Sequence, residues 1–235
     1  KKYNLFIIED AAQAIDSFYK NKRVGSFGHF STFSFHETKN LSSGEGGLLV
    51  INDETFNERA EIIREKGTNR SLFFRGEIDK YNWVDIGSSF LPSDIIAAIL
   101  YAQLENLKKV QDHRRKIWDI YYNGLYKFEK IYNFSLPFIP EYSSNNGHMF
   151  YIICESLKKR TELIKTLREN GIQAVFHYQS LHNSPYFLSL SKEISLPNAK
   201  RYTDCLLRLP MFNYITEKEA TKVVNTIINI YSKTL

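Results

Sequence analysis

Cysteine is scarce in this sequence: the 235 residues contain two, Cys154 and Cys205, which are far apart and lie in apolar surroundings. Two distant thiols do not make the disulfide framework of a small secreted domain, so we expect buried, reduced cysteines and a cytoplasmic protein. Long apolar runs are absent too, and no stretch approaches the roughly 20 residues of a membrane-spanning helix. The opening "KKYNLFIIEDAAQ" shows no signal-peptide pattern and starts inside a predicted strand. We therefore expect the chain to be part of a longer protein.

Concentrated positive charge is also missing. The 31 Lys and Arg residues exceed the 26 Asp and Glu residues by five, which fits an acidic partner, either a nucleic acid or a phosphorylated small molecule. The densest basic stretches, "DHRRK" and "LKKR", have acidic neighbours, and no nucleic-acid-binding motif accompanies them. Aromatic side chains could stack on the bases of single-stranded nucleic acid. The candidate aromatic residues are not interleaved with basic residues, however; they are Phe33, Phe35, Phe73 and Phe74. We predict no nucleic-acid partner.

No metal site is predicted either. His177 and His182 are five residues apart and straddle a strand end, which is not the spacing of a helical ligand pair. No third ligand has a convincing position in the sequence. A core histidine or a substrate-lining histidine is the better interpretation of both.

The features that are present predict a mixed α/β protein. Short apolar or aromatic runs predict strands over residues 4–8, 30–35 and 47–51. A helix is predicted over 53–67, opened by Asp53 as a cap and closed by Gly67. Residues 68–91 show no clean period, which indicates a long functional loop.

A long helix is predicted over 92–124, with Pro92 in its first turn and Gly124 near its end. Its apolar residues recur at a spacing of three to four: Ile96, Leu100, Leu104 and Leu107. The pattern then changes, and a βαβ-like unit follows. Its predicted elements are strands 149–155 and 172–178 and helices 158–171, 198–208 and 216–232. We predict a large-domain remainder at 1–124, including the connecting helix, and a smaller α+β domain at 125–235.

Two residues suggest the chemistry of the large domain. Asp10 follows the first predicted strand and Lys39 follows the second. Ligands bind beyond the carboxyl ends of strands in open α/β sheets, so neighbouring strands would let both side chains face one crevice. Pyridoxal phosphate (PLP) chemistry needs this pair, because the lysine bonds to the cofactor aldehyde and the carboxylate keeps the pyridine nitrogen protonated. The glycines of "SSGEGG" would let the backbone approach the cofactor, and Ser34 could bind its phosphate.

Each of these signals has a simpler explanation when it is taken alone. Asp10 could be a helix cap, Lys39 could be a solvated loop residue, and "SSGEGG" could be a hairpin turn.

The combination is more specific. The segments "EDAAQA", "SFHETKNLSSGEGG", "REKGTNR" and "FHYQSLH" occur in this order along essentially the whole chain. Together they resemble the DegT/DnrJ/EryC1/StrS sugar aminotransferases. That resemblance implies an aspartate aminotransferase-like fold, of which this chain would form the C-terminal part of the large sheet domain and the small domain. Members of the family carry a further segment ahead of the "EDAAQ" strand, which supplies part of the cofactor site.

The resemblance implies a role for each matching residue. Asp10 would pair with the pyridine nitrogen of PLP, and Gln13 would lie against the ring. Ser34 would bind the phosphate, and Lys39 would carry the cofactor and move the proton during transamination. Asn69 would reach the phosphate across a homodimer with shared active sites. Substrate contacts are implied for Arg70, His177, Tyr178 and His182.

The stretch "REKGTNRSLFFRGEIDKYNWVDIGSSFLPSD" is similar to one subgroup of the family. Its members transfer an amino group from glutamate to dTDP-4-dehydro-6-deoxyglucose, forming dTDP-4-amino-4,6-dideoxygalactose for surface glycans such as enterobacterial common antigen. Two alternatives stay open: an aminotransferase for another nucleotide-linked keto sugar, and a non-catalytic homologue that serves as a dimer partner or scaffold.

Overall fold

The structure is a computed structural model that describes residues 2–233, and the chain divides into two compact units. The first contains the described residues up to Val110, together with Tyr142–Ser144. The second contains Gln111–Glu141 and the described residues from Asn145 onward. This division falls inside a helix, and the domain boundaries 1–124 and 125–235 stay a prediction.

A three-stranded mixed sheet forms the centre of the first unit. Its strands are β1 (Ile8–Asp10), β4 (Phe30–Ser34) and β5 (Gly47–Ile51), in the order β1-β4-β5. β1 runs parallel to β4, and β5 runs antiparallel to it. Along the chain, the segment that joins β1 to β4 forms a small antiparallel hairpin of β2 (Phe18–Tyr19) and β3 (Lys22–Arg23). The strands predicted at 30–35 and 47–51 are therefore confirmed.

The first predicted strand is displaced. Residues 4–8 were expected to form a buried strand, whereas β1 begins at Ile8 and includes Asp10 as its last residue. Leu5 and Phe6 are more than two-thirds exposed, and so is Ile8. β1 has only β4 as a neighbour among the described residues, and the register with β4 begins at Ile8. The apolar run at residues 4–8 therefore predicted neither where this strand begins and ends nor how exposed its residues are.

The helix predicted over 53–67 is confirmed in its main part. A 3₁₀ turn, Glu54–Phe56, leads into α1 (Asn57–Arg64). Asp53 caps the turn, since its carboxylate accepts a hydrogen bond from Thr55 N. Gly67 ends the segment with φ +77°, a left-handed conformation that glycine adopts without a Cβ penalty. A short helix, α2 (Arg70–Phe74), follows within the predicted loop.

The predicted long helix is two helices, α3 (Asp94–Glu105) and α4 (Leu107–Leu125). Asn106 interrupts it at φ −96° and ψ 6°, and its side-chain Nδ2 donates to Ala102 O at 2.9 Å. Asparagine competes in this way for helix hydrogen bonds. No residue of α3 is buried, although Ile96 and Leu100 are less exposed than the residues around them. Within residues 2–233, no helix combines the length and hydrophobicity needed to cross a membrane.

The segment after α2 returns to the end of α1 through a close contact between two glycines. Gly67 O accepts hydrogen bonds from Val84 N and Asp85 N at 2.8 and 3.1 Å. A Cβ on Gly87 would lie 2.1 Å from Gly67 N and 2.8 Å from Ile63 O. The two backbones therefore meet where no other residue fits.

Gly87→Ala is expected to dislodge this loop, at a cost of about 3 kcal/mol or more, because the added methyl would overlap backbone atoms that cannot rotate away. Amide hydrogen exchange over residues 63–90 would measure the loss of protection. Gly76→Ala is the matched control, since a Cβ there meets nothing within 4 Å and carries only the strain of φ +74°. Equal protection in the two variants would contradict the close-contact explanation.

A small antiparallel sheet forms one layer of the second unit. Its strands are β6 (Tyr151–Ile153), β7 (Val175–Phe176) and β8 (Leu206–Arg208), with β8 in the centre. The helices, besides the larger part of α4, are α5 (Glu129–Tyr132), α6 (Leu157–Glu169), α7 (Pro185–Leu190), α8 (Pro197–Cys205) and α9 (Glu217–Ser232). The predicted helix over 198–208 is corrected at its end, because residues 206–208 pair with β6 and β7 as a strand. That strand lies between β6 and β7.

The core of the second unit lies between this sheet and helices α4, α6 and α9. Its fully buried members include Tyr121, Phe150, Ile152, Leu207 and Ile227. Gly124 allows α4 to approach α9, since a Cβ there would lie 2.7 Å from Val224 Cγ1. Cys154 and Cys205 are both free and buried in this unit.

Candidate active site

The carboxyl ends of β1 and β4 bring three polar side chains to one face of the first sheet. Asp10 is aligned with Thr32 in the parallel register, and aligned residues of neighbouring strands point to the same side. Ser34, two residues beyond Thr32, lies on that side as well because side chains alternate along a strand. The neighbouring strands required by the predicted crevice are present. Thr32 was missed, although its spacing from Ser34 could have indicated it.

Asp10 also has a local structural role. Its Oδ1 accepts a hydrogen bond from Ala12 N at 3.1 Å, which holds the turn after β1. The side chain is otherwise exposed, so its second carboxylate oxygen is accessible. Gln13 lies exposed in the same turn.

Lys39 lies in a compact turn directly after β4. Its backbone N–H donates to His36 O at 2.9 Å, and His36 Nδ1 accepts from Thr38 N at 3.2 Å. His36 Nε2 lies 3.7 Å from the Glu45 carboxylate. The Lys39 side chain is half-buried and, within residues 2–233, forms no hydrogen bond or ion pair. The turn therefore presents one unengaged amine, and His36 is a second residue that sequence reasoning missed.

The glycine-rich stretch after Lys39 folds back onto β4. Phe35 N donates to Gly46 O at 2.8 Å, and Ser43 N donates to Phe35 O at 3.0 Å. Gly44 and Gly46 have φ values of +84° and +157°, and a Cβ on Gly46 would lie 2.7 Å from Ser43 Oγ. Three residues of this loop, Gly44, Gly46 and Gly47, carry no side chain. An unengaged lysine, a carboxylate at the neighbouring strand end and a glycine-rich loop fit the demands of PLP.

Glu9 supports the opposite face of the sheet. Its carboxylate accepts hydrogen bonds from three backbone amides, those of Gly25, Phe27 and Gly28, at 2.9, 2.5 and 2.8 Å. Burial would raise the pKa of Glu9, but these hydrogen bonds and the charge of Lys22 outweigh it, so the pKa lies below its ordinary value. The adjacent Glu9 and Asp10 therefore have different roles: Glu9 fixes a loop, and Asp10 faces the candidate site.

The predicted loop residues Asn69 and Arg70 lie at the start of α2. Asn69 Oδ1 accepts from Asn82 N at 2.8 Å, which leaves the two side-chain N–H donors of Asn69. The Arg70 guanidinium lies 4.8 Å from the centre of the Phe74 ring. Both residues are half-buried.

An apolar groove of about 970 Å³ lies on the sheet face that carries Thr32. Strand residues Phe30, Leu49 and Ile51 line it from one side, and Phe56 and Ile63 line it from the other. The candidate polar residues thus lie at the end of an otherwise apolar face.

The remaining predicted residues belong to the second unit. His177 follows β7 and is half-buried, and its ring meets that of Tyr178 edge to face at 5.7 Å. Tyr178 is 76% exposed. His182 is half-buried in a 3₁₀ turn, Leu181–Asn183.

Comparison with known proteins identifies the family. The sequence pattern of the DegT/DnrJ/EryC1/StrS aminotransferase family matches residues 1–228. The chain belongs to this family.

Individual relatives show the extent of the similarity. The chain is 29% identical to the UDP-4-amino-4,6-dideoxy-N-acetyl-beta-L-altrosamine transaminase of Campylobacter jejuni, over 99% of this chain and 60% of that protein. It is 34% identical to the "Pleiotropic regulatory protein" of Geobacillus stearothermophilus, over 98% of this chain and 59% of that protein. The chain therefore spans about three-fifths of the length of these relatives.

The fold is shared with solved structures. Spr1654 from Streptococcus pneumoniae superposes on this chain with a TM-score of 0.87 in its pyridoxamine phosphate (PMP) form and 0.85 in its PLP form. The identity is 23%, and the PMP-form match covers 98% of this chain and 60% of that chain. The predicted aspartate aminotransferase-like α/β fold is confirmed by this likeness.

Proposed function

We propose that this chain carries the catalytic lysine of a PLP-dependent sugar aminotransferase. The observation that supports this most directly is the parallel pairing of β1 and β4. It places Asp10 and Ser34 on one face, with the unengaged Lys39 in the turn that follows. Family membership and the PLP form of Spr1654 support the same cofactor.

PLP, when bound, supplies an aldehyde that accepts the amino group and a protonated ring that withdraws electrons from the reacting carbon. Lys39 Nζ would hold the cofactor covalently and, once released, carry the proton between the two reacting carbons. The free carboxylate oxygen of Asp10 would hold the ring nitrogen in its protonated state. Ser34 Oγ and the side-chain N–H donors of Asn69 would bind the phosphate, and Gln13 would lie against the ring.

The two substrates that we propose are glutamate and dTDP-4-dehydro-6-deoxyglucose, giving dTDP-4-amino-4,6-dideoxygalactose for a surface glycan. The support for the sugar is the similarity of residues 64–94 to that subgroup, with Arg70, His177, Tyr178 and His182 as sugar-nucleotide contacts. The C. jejuni relative is named for a UDP-linked amino sugar, so another nucleotide keto sugar is the main competitor. A homodimer in which Asn69 completes the partner's phosphate site, in the cytoplasm, is part of the same proposal.

An absorbance spectrum tests this proposal in stages. Addition of PLP should produce a visible band, which glutamate should remove as the amino group is transferred. Addition of dTDP-4-dehydro-6-deoxyglucose should then restore the band, and faster than a UDP-linked keto sugar does. Restoration by the UDP-linked sugar alone would replace the substrate but keep the reaction class. Absence of any band, from this chain and from a longer version of the same protein, would end the aminotransferase proposal and favour a scaffold role.

Asp10→Asn should slow both half-reactions by about a hundredfold or more, because an amide cannot stabilise the protonated ring nitrogen. The turn after β1 should persist, since the asparagine oxygen can still accept from Ala12 N. Stopped-flow absorbance would measure each half-reaction, with Asp53→Asn as the control, a capping change just after β5, whose end lies beside the start of β4. Unchanged rates would mean that Asp10 serves only its local turn.

A further inference from the structure

The outer face of the small sheet in the second unit carries a charged residue, Arg208, beside the apolar pair Ile153 and Leu206. Ile152 and Leu207 are fully buried on its inner face, within the core. Arg208 is directly opposed by Tyr151 on β6 and by Val175 on β7. Opposed residues of antiparallel strands project to the same side, so this row lies on the outer face.

Two nitrogen atoms at this part of the sheet are buried without a partner. Arg208 Nε and His177 Nδ1 are both inaccessible to solvent and form no hydrogen bond. Within residues 2–233, Arg208 forms no ion pair. The nearest acidic side chain along the sequence, Asp204, is engaged with Lys200 at 3.3 Å. A buried guanidinium donor without a partner is costly and calls for an explanation.

The two groups are neighbours. His177 directly follows β7 and lies two residues beyond Val175, which directly opposes Arg208. Burial, and after it the charge of Arg208, lowers the pKa of His177. The ring is therefore neutral at pH 7 and does not add a second positive charge beside Arg208.

We propose that Arg208, with His177 beside it, binds an oxyanion: a carboxylate or phosphate group of a substrate. A planar guanidinium offers paired N–H donors that match these groups, and a neutral imidazole adds a further hydrogen bond. The inference rests on the proposed function, in which both substrates are anionic, through the carboxylates of the amino donor or the diphosphate of the nucleotide sugar. Arg208 would then determine specificity for one of them.

Binding can be tested without PLP. The imidazole resonances of His177 would be followed by NMR in the cofactor-free protein during titration with pyrophosphate and, separately, with glutarate. Sodium chloride at matched ionic strength is the reference for nonspecific effects. We expect saturable shifts with one probe or both, and the affinity should fall at least about tenfold in Arg208→Met. Pyrophosphate binding alone would assign the nucleotide diphosphate, and glutarate binding alone would assign the amino donor.

Matched variants keep the test independent of folding. Arg201→Met removes an exposed arginine from α8 of the same unit and should leave the titrations unchanged. Arg208→Lys keeps the charge but loses the planar donors, so weaker binding than wild type is expected even if Arg208→Met unfolds. No saturable shift with either probe, or binding equal to wild type in Arg208→Lys, would overturn the inference. A visible PLP band in the absence of probe binding would refute this site alone, whereas probe binding without a band, in this chain and in a longer version of the same protein, would refute the aminotransferase proposal alone.

Discussion

Lys39→Ala is expected to abolish transamination, with a loss of rate of more than about a thousandfold. Alanine can neither bond to the cofactor aldehyde nor move the proton between the reacting carbons. The visible band that PLP gives with the wild-type protein should be absent or altered in the variant. The fold should persist, because the half-buried side chain has no partner to lose within residues 2–233. Circular dichroism and thermal unfolding would verify that.

Two further variants separate the possible roles of this lysine. Lys39→Arg keeps the positive charge but removes the nucleophilic amine, so it should be as inactive as the alanine variant. Lys158→Ala removes a lysine whose side chain is 84% exposed on α6, and it should retain full activity. Activity in Lys39→Arg would mean that the position contributes charge rather than covalent chemistry. Activity in Lys39→Ala would rule out the catalytic assignment.

Arg114→Met is expected to destabilise the second unit by about 3 kcal/mol or more. Arg114 is 4% exposed, and its donors reach backbone carbonyls and Asn213. Nε donates to Gly147 O at 3.0 Å, and Nη2 donates to His148 O at 2.7 Å. Nη1 donates to Asn213 Oδ1 at 3.0 Å.

The physical basis is desolvation balanced by hydrogen bonds. Burial lowers the pKa of Arg114 to about 10, which shows that the buried charge is unfavourable by itself. The carbonyls that accept its hydrogen bonds would be left unsatisfied by methionine, and that loss exceeds the relief of removing the charge. Arg114→Lys should be nearly as damaging, because one ammonium group cannot span these separate acceptors.

Urea unfolding followed by circular dichroism would measure the change in the free energy of unfolding. Arg115→Met is the neighbouring control, since Arg115 pairs with Asp112 at 2.9 Å on an exposed part of the same helix. Surface pairs of this kind contribute about 1 kcal/mol or less. A loss in Arg114→Met no larger than that in Arg115→Met would show that the buried network does not stabilise the unit.

Predictions based on local signals agree well with the structure. The aromatic run at residues 30–35 forms β4, and the apolar run at 47–51 forms β5. Asp53 and Gly67 lie at the start and the end of the first helical segment, as predicted. Cap formation, side-chain alternation and glycine conformation each depend on a few consecutive residues, so the sequence reports them directly. Part of the candidate site follows from the same signals, because Ser34 and Lys39 lie within and just after one strand.

Other features depended on contacts between distant residues. Residues 206–208 continue a helical pattern but form a strand, because β6 and β7 offer hydrogen bonds on both sides. The alignment of Asp10 with Thr32, the contact between Gly67 and Gly87 and the burial of Arg114 likewise join segments that are far apart in the chain. The sequence alone thus determined the local elements and indicated Lys39 as the candidate reactive amine. Tertiary structure decided which side chains share a face and which charges are buried, since pairing energy depends on partners that local sequence does not specify.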